Sequence, residues 1–393
     1  MERTKAQRLF LIALFLFTIA GGLSASIISN YFKGVFAVDA VQRGLLEIPR
    51  ELPGVVCVLV IAALPTLGSL SLSLLGFGLY FVGLFVLGLL SPSYAVMFMP
   101  LRDVIAMDLS EEGKTGTFLG TYRSVMTVAS MAASALVFVG FRAGFFYFRP
   151  DSIVPTFCLA MVILAAAIVC LCRLRAAMPA LDVRKREAGR RGLPVKRRYV
   201  PYYFVTAVYG FQKRMRAVFA PWIIIELLSM GADTVALLGI AAHFCGSWFA
   251  PIIGRFLDRR GVRQGLLLES VSVAAVFLYA AWAVHGITSG VLCGYAAMAA
   301  AFLAYILIFM TDHFNAVHTM LMRSLSESPA DVMENLSFGL SIDHILAVTV
   351  SGLLGAVWKL SGPQWVFVLG AAVCAVDLAV ALWLKRTETA PAK

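Results

Sequence analysis

The run Gly254-Arg-Phe-Leu-Asp258-Arg259-Arg260-Gly261-Val-Arg263 lies between two long apolar stretches. Glycine, a carboxylate, basic residues and a second glycine at this spacing are typical of a tight turn in which Asp258 caps a helix end. Basic residues beside an apolar span favour the cytoplasmic side of a bilayer, where arginines meet phospholipid headgroups. The run therefore predicts a cytoplasmic loop between two membrane-spanning helices.

The composition of the whole chain indicates a polytopic membrane protein. Hydrophobic residues make up 60% of the 393 residues, charged residues make up 14%, and the mean hydropathy is +0.86. These values exclude a soluble globular domain. The formal net charge of +11 comes mainly from short loops, which favours contact with membrane lipid over a nucleic-acid partner. The seven cysteines lie in apolar stretches without a CxxC pair and indicate buried apolar residues.

The apolar stretches predict an all-α membrane protein with about twelve transmembrane helices, since about 20 residues are needed for each crossing. Lys and Arg concentrate in alternate loops, so the positive-inside rule predicts cytoplasmic N- and C-termini. The first stretch is longer than the apolar part of a signal peptide, which favours an uncleaved helix. The stretches lie near residues 9–31, 44–65, 68–90, 93–111, 115–141, 152–174, 199–227, 234–254, 265–285, 290–321, 335–358 and 363–384.

A basic segment near the middle of the chain predicts how these helices are grouped. Residues 1–175 are expected to form an N-terminal six-helix half, and residues 199–393 a C-terminal half that carries the loop at 254–263. Residues 176–198 join them as a basic cytoplasmic linker, for which anchoring beside anionic lipid is a sufficient explanation.

The run at 254–263 resembles motif A of the major facilitator superfamily, whose pattern is Gly-x-x-x-Asp-Arg-x-Gly-x-Arg. In that family the motif follows the second helix of a six-helix half, and the predicted eighth helix is the equivalent place. The segment after the second stretch, Pro65-Thr-Leu-Gly68-Ser69, lacks the Asp, the Arg and the second Gly, so the first-half copy is missing. The resemblance implies a monomeric transporter of the bacterial plasma (inner) membrane, with inverted repeats around a central site. It implies a conformational latch of Gly254, Asp258, Arg259, Gly261 and Arg263.

Six basic residues lie within predicted spans. Each costs about 2.5 to 3.5 kcal/mol at the bilayer centre, so most of them must face a wet cavity, pair with acids or lie near an interface. The acids Glu47 and Glu51 near the external side suggest a gate or a set of interhelical salt bridges. The six are Arg50, Arg102, Arg123, Lys213, Arg214 and Arg216.

The densest group is Gln212-Lys213-Arg214-Met-Arg216. Lys213 and Arg216 are three residues apart and share a helix face, which predicts an anion-binding or charge-relay pair, with Arg214 bracing a neighbouring helix. In the alternative, all three are structural ion-pair partners. Gln212 completes this substrate-binding prediction, and the resemblance adds Arg102 as a substrate or gating contact.

Two acid and histidine pairs lie at matching depths in the last third of the chain. Carboxylates and imidazoles in a low-dielectric cavity suit proton uptake and release, which makes Asp312, Asp343, His313 and His344 candidates for proton coupling. In the alternative, the acids neutralise the basic group permanently. A metal site that adds His318 and His243 is disfavoured, because His313 and His318 are five residues apart and do not share a helix face. Glu226, Glu269, Asp377 and Lys359 are placed near the interfaces, where snorkelling explains them.

Together these features predict a secondary active transporter that moves a small polar, anionic solute by alternating access and is coupled to protons. A multidrug or lipid exporter of the same fold is the first alternative. A membrane-embedded enzyme is the second, but the chain has neither HExxH nor GxSxG, and it has no Walker motif for ATP. We therefore predict no enzyme activity, no cofactor and no metal.

Overall fold

The computed structural model describes residues 2–48, 51, 69–89, 115–148, 154–179, 196–326 and 329–384, and within these ranges the regular structure is helical. The helices are α1 (Glu2–Phe36), α2 (Ala40–Leu45), α3 (Ser69–Leu89), α4 (Thr115–Arg142), α5 (Pro155–Ala177), α6 (Val200–Arg214), α7 (Ala232–Thr288), α8 (Gly294–Met310), α9 (Asn315–Leu325), α10 (Pro329–Leu360) and α11 (Pro363–Trp383).

The chain divides into two compact units that do not follow the sequence order. One unit comprises Met1–Phe36 and Val56–Arg191, and the other comprises Ala37–Val55 and Gly192–Lys393. The segment Ala37–Val55, which contains α2, therefore groups with the second unit. The division into six-helix halves at residues 175 and 199 stays a prediction.

Seven helices in the described part of the chain are long and apolar enough to cross a membrane, which makes the protein an integral membrane protein. One of them, α7, has 57 residues. A break at Gly261 divides it into segments of 29 and 27 residues, 232–260 and 262–288. At 1.5 Å per residue these are about 44 and 41 Å long, and each is enough for one crossing of a hydrocarbon layer of about 30 Å. The count of twelve helices stays a prediction, because the stretches near 44–65 and 93–111 lie mainly outside the described residues. The cytoplasmic location of the termini stays a prediction as well.

The first unit is held together by apolar packing of α1 against α4 and α5, and of α3 against α5. The rings of Phe17 and Phe77 stack at 4.5 Å. Beside them, the hydroxyls of half-buried Ser24 and buried Tyr80 lie 2.7 Å apart, so these polar groups satisfy each other.

The second unit packs α7 against α8 and α11, and α6 against α10 and α11. Its core surrounds Trp222 and Phe219, which follow α6. Two π-helical turns, Met215–Phe219 and Ile223–Leu227, flank a short α-helical turn at Ala220–Trp222. Pro221 lies in that short turn and has no N–H for the regular hydrogen-bond ladder. The helix that carries the basic group is therefore irregular directly after Arg214.

The predicted loop at 254–263 is much shorter than ten residues. The helix α7 continues through it, and the backbone leaves helical geometry at Gly261, with φ 77° and ψ 172°. A single residue with positive φ is enough to separate two helices, and glycine adopts that geometry without a steric penalty. The turn that the motif predicts is therefore present, but it is a one-residue break.

We expect Gly261→Ala to lower the stability of the folded protein by about 1 to 2 kcal/mol, because a Cβ is strained at positive φ. Gly254→Ala is the matched control. Gly254 is helical and a Cβ there would meet no atom within 4 Å, so alanine should be neutral or stabilising. Thermal unfolding in detergent measures both variants, and an equal response would contradict the assignment of the break to Gly261.

Candidate functional site

The three basic side chains at positions 213, 214 and 216 each have a different nearest acidic partner. The helix is α-helical to Arg214 and π-helical from Met215, so the regular face that Lys213 and Arg216 would share is interrupted. Lys213 meets Asp343, Arg214 meets Glu47 and Glu51, and Arg216 meets Asp312. Lys213 and Arg216, which were predicted to act as a pair, therefore each form an ion pair with a different acid.

Arg214 is fully buried and braces the segment that contains α2. Its guanidinium bonds to Glu47 and lies 3.2 Å from Oε1 of Glu51. Arg43 also contacts Glu47, with 2.5 Å between its Nη1 and Oε1. The buried carboxylates thus have cationic partners, as buried charges must. This network is the set of interhelical salt bridges considered for this segment.

Lys213 forms the first of the accessible ion pairs. Its Nζ lies 3.0 Å from Oδ2 of Asp343 and 3.7 Å from Oε2 of Glu51, and its side chain is 22% exposed. His344 follows Asp343 and binds the same Glu51 oxygen through Nδ1. Gly210 allows this approach of α6 to α10, because a Cβ there would come within 2.7 Å of the Asp343 carbonyl oxygen.

Arg216 forms the second pair. Its Nη2 lies 3.0 Å from Oδ1 of Asp312, and its Nη1 donates to Oγ1 of Thr311 at 3.2 Å. The guanidinium also lies 4.9 Å from the ring centroid of Tyr209, whose hydroxyl donates to Asp312 at 2.9 Å. Arg216 is buried, whereas the Asp312 side chain is 56% exposed.

The two pairs belong to one polar patch. Tyr209 precedes Lys213 by one helical turn, and Lys213 is close enough to Asp312 for electrostatic attraction. Tyr209 is thus a site residue that the charge pattern missed, although its spacing of four and seven residues from Lys213 and Arg216 indicates it. We call this patch the α6 polar cluster; it comprises Tyr209, Lys213, Arg216, Asp312 and Asp343.

The two histidines that were predicted beside these acids lie apart from each other. His344 contacts Glu51, as described above. His313 lies against the ring of Phe249 at 6.3 Å and beside Gly246. Among the residues that the structure describes, no three His, Cys, Asp or Glu side chains form a metal-binding group.

Gln212 faces away from the α6 polar cluster. Its Nε2 donates to Oδ2 of Asp377 at 3.3 Å, and its side chain is buried. Glu269 binds Nε2 of His318 at 2.8 Å, also in the interior. Snorkelling therefore does not explain Glu269 and Asp377, since neither side chain is exposed. A position near the end of an apolar stretch does not tell which way a helix face points.

The predicted latch residues lie around the break in α7, where Gly261 itself is buried. Asp258 and Arg259 are exposed, and within the described part of the chain Asp258 makes no hydrogen bond or ion pair, so the expected cap is not formed. Arg263 donates from Nε to the Ala381 carbonyl at 3.0 Å and ties α7 to α11. Arg102 and Arg50 lie outside the described residues, and the side chain of Arg123 is not described.

No family model matches the sequence, and no curated protein matches it either. Solved structures match its fold. A POT family transporter in complex with a thioalcohol-conjugated peptide has a TM-score of 0.74 at 11% identity, over 96% of both chains. A mutant of the nucleoside transporter NupG has a TM-score of 0.70 at 14% identity, over 97% of this chain and 100% of that one.

A bacterial homologue of the human lysosomal transporter Spinster, in an inward-facing, unoccupied conformation, has a TM-score of 0.59 at 13% identity. The match covers 97% of this chain and 96% of the homologue's chain. All three are described as transporters. At these identities the likeness shows a shared fold, and this is the fold that the motif at 254–263 implied.

Proposed function

The chain has the fold of the major facilitator superfamily, and on that premise we propose that it is a secondary active transporter that moves a small polar solute by alternating access. Structural neighbours are described as transporters of peptides and of nucleosides, and one as a complex with 5-aminolevulinic acid. All of these solutes are small and polar. The proposal places the protein in the plasma membrane of a bacterium, as a monomer.

The observation that carries this proposal is the α6 polar cluster. An ion pair in a membrane-spanning helix is costly to retain, and such residues usually mark a solute or ion pathway. Lys213 and Asp312 are partly exposed, whereas their partners Asp343 and Arg216 are buried. Each pair thus has one member that a solute can reach and one that the protein holds in place.

The charge balance of the cluster supports an anionic solute that binds together with a proton. With both acids ionised, each pair is neutral and offers little attraction to an anion. Protonation of Asp343 leaves Lys213 without its nearest counter-charge, and protonation of Asp312 does the same for Arg216. An anion then replaces the lost carboxylate charge. By linkage, the bound anion favours the bound proton to the same extent, which is the requirement for coupled transport.

This proposal assigns proton binding to Asp312 and Asp343. His344 acts through Glu51, whose Oε2 also lies 3.7 Å from Nζ of Lys213, so protonation of the imidazole adds positive charge beside the anion. His313 stays a weaker candidate, because it lies against Phe249. Arg102 stays a candidate for substrate contact on the strength of the family resemblance alone.

The test is a thermal-shift screen of the detergent-purified protein against organic anions, sugars, amino acids and amphiphilic cations at two pH values. A ligand that binds the folded state at 100 times its Kd raises the unfolding free energy by about 2.7 kcal/mol. We expect saturable stabilisation by an anion, stronger at the lower pH, because protonated acids release Lys213 and Arg216. Stabilisation by amphiphilic cations or lipids alone would instead support a multidrug or lipid exporter.

A further inference from the structure

The second unit contains a second titratable group that the α6 polar cluster does not use. Glu269 of α7, His318 of α9 and Asp377 of α11 are all buried, and Gln212 of α6 completes the group. His318 bonds to Oε1 of Glu269, and Gln212 donates to Oδ2 of Asp377. The two carboxyls are close enough to interact electrostatically. We call these four residues the buried acid cluster.

The charges of this cluster do not balance. Two carboxylates carry two negative charges, and one imidazolium offers at most one positive charge. A buried charge without a counter-charge is strongly unfavourable, and a protein avoids it by changing the protonation state of the group. Arg263 on α7 donates its Nε to the Ala381 carbonyl, one turn beyond Asp377, and within the described residues it forms no ion pair with either carboxyl of the cluster. The Cys374 thiol, 3.9 Å from Nε2 of Gln212, adds no positive charge.

The buried acid cluster also has too few hydrogen-bond donors for its oxygens. Three buried oxygens of the cluster have no protein partner: Oε2 of Glu269, Oδ1 of Asp377 and Oε1 of Gln212. Gln212 shows the lack of donors independently of the carboxyl charges. It is 1% exposed, and its Nε2 already donates to Asp377. A proton on a carboxyl oxygen converts an acceptor into a donor and removes one negative charge at the same time.

We propose that Glu269, His318 and Asp377 form a proton-binding site in which one of the two carboxyls holds an exchangeable proton. The proton leaves as H⁺ and returns as H⁺, with no other bond made or broken. His318 links the site to the α6 polar cluster, because its ring meets the ring of Tyr209 edge to face at 5.3 Å. A change in the charge of the imidazole therefore acts on the residue that holds Asp312.

The first experiment compares the wild type with Asp377→Asn, which keeps the shape of the protonated carboxyl. Infrared difference spectroscopy of the protein should show a protonated carboxyl band that shifts in heavy water and is absent from the variant. The melting temperature of the wild type should fall as the pH rises above neutrality, since its folded state holds a proton that the unfolded chain releases. Asp377→Asn should show a flatter dependence.

The matched control is Glu226→Gln, a carboxyl-to-amide change at a half-buried acid that bonds to Trp358. It should keep both the carboxyl band and the pH dependence of the wild type. If Asp377→Asn cannot be purified, Glu269→Gln is compared in its place. A missing carboxyl band in the wild type, or an unchanged pH dependence in the variant, overturns the proposal. Stabilisation by Na⁺ at constant pH, lost in Asp377→Asn, also overturns it in favour of a cation site.

A transport readout extends the test and rests on the proposed function. In proteoliposomes, Asp377→Asn should weaken the accumulation of solute driven by a pH gradient, because one of the proton-binding sites is lost while Asp312 and Asp343 remain, and it should keep solute exchange, which needs no net proton movement. Failure of the wild type to move any solute would count against the proposed function only, because the infrared and melting measurements decide the proton site without transport.

Discussion

Replacing Arg214 with methionine is expected to destabilise the protein by about 3 to 5 kcal/mol, the cost of breaking a buried ion pair by removing one partner. Arg214 is fully buried, and its guanidinium contacts both Glu47 and Glu51. Methionine fills much of the same volume but leaves two buried carboxylates with less positive charge. The measurement is thermal unfolding of the purified variant, together with its yield in the membrane.

Arg260→Met is the matched control, because Arg260 is exposed beside the break in α7 and should tolerate the same change. A second variant separates charge from packing. Adding Glu47→Gln to Arg214→Met removes one of the uncompensated charges and should recover part of the lost stability. If Arg214→Met melts like the wild type, Arg214 does not brace this unit and its ion pairs are not needed for the fold.

Replacing Lys213 with alanine is expected to weaken binding of the anionic solute about 10- to 150-fold, since a hydrogen bond to a charged group contributes about 1.5 to 3 kcal/mol. Lys213 offers an ammonium group that is 22% exposed and is held 3.0 Å from Asp343. Titration of solute against the melting temperature gives the affinity. Lys196→Ala, at the start of the same helical segment, controls for the loss of a positive charge.

The double variant Lys213→Ala with Asp343→Asn distinguishes a binding role from a structural one. If Lys213 only neutralises Asp343, the single variant should melt early, and the double variant should regain both stability and solute binding. If Lys213 binds the solute, the double variant should regain stability but stay unable to bind the anion. Full recovery of binding in the double variant would contradict the proposed role of Lys213.

The local features of the fold follow from the sequence because they depend on neighbouring residues. Apolar stretches of sufficient length predict membrane-spanning helices, and the spacing of Gly254, Asp258 and Gly261 predicts a turn between two of them. The break at Gly261 confirms that turn. The sequence did not predict that the helix continues up to Gly261. A single glycine with positive φ takes the place of the predicted ten-residue loop.

The pairing of charges could be predicted only in part. The need for partners follows from the cost of charge in a bilayer, so Arg214 was expected to brace a neighbouring helix and Asp312 and Asp343 were recognised as possible counter-charges. Which acid meets which base was not readable. The π-helical turn after Arg214 changes the direction of Arg216, and no sequence periodicity reports such a turn.

By itself, the sequence determined that this is a helical membrane protein with a run that resembles motif A of the major facilitator superfamily and with charged residues that must be compensated. Only the tertiary structure decided that Glu269 and Asp377 are buried, with Glu269 bonded to His318, rather than exposed. The reason is physical: hydropathy and spacing depend on residues close in the chain, whereas burial and the partner of a charge depend on helices that are distant in sequence and meet only in the folded protein.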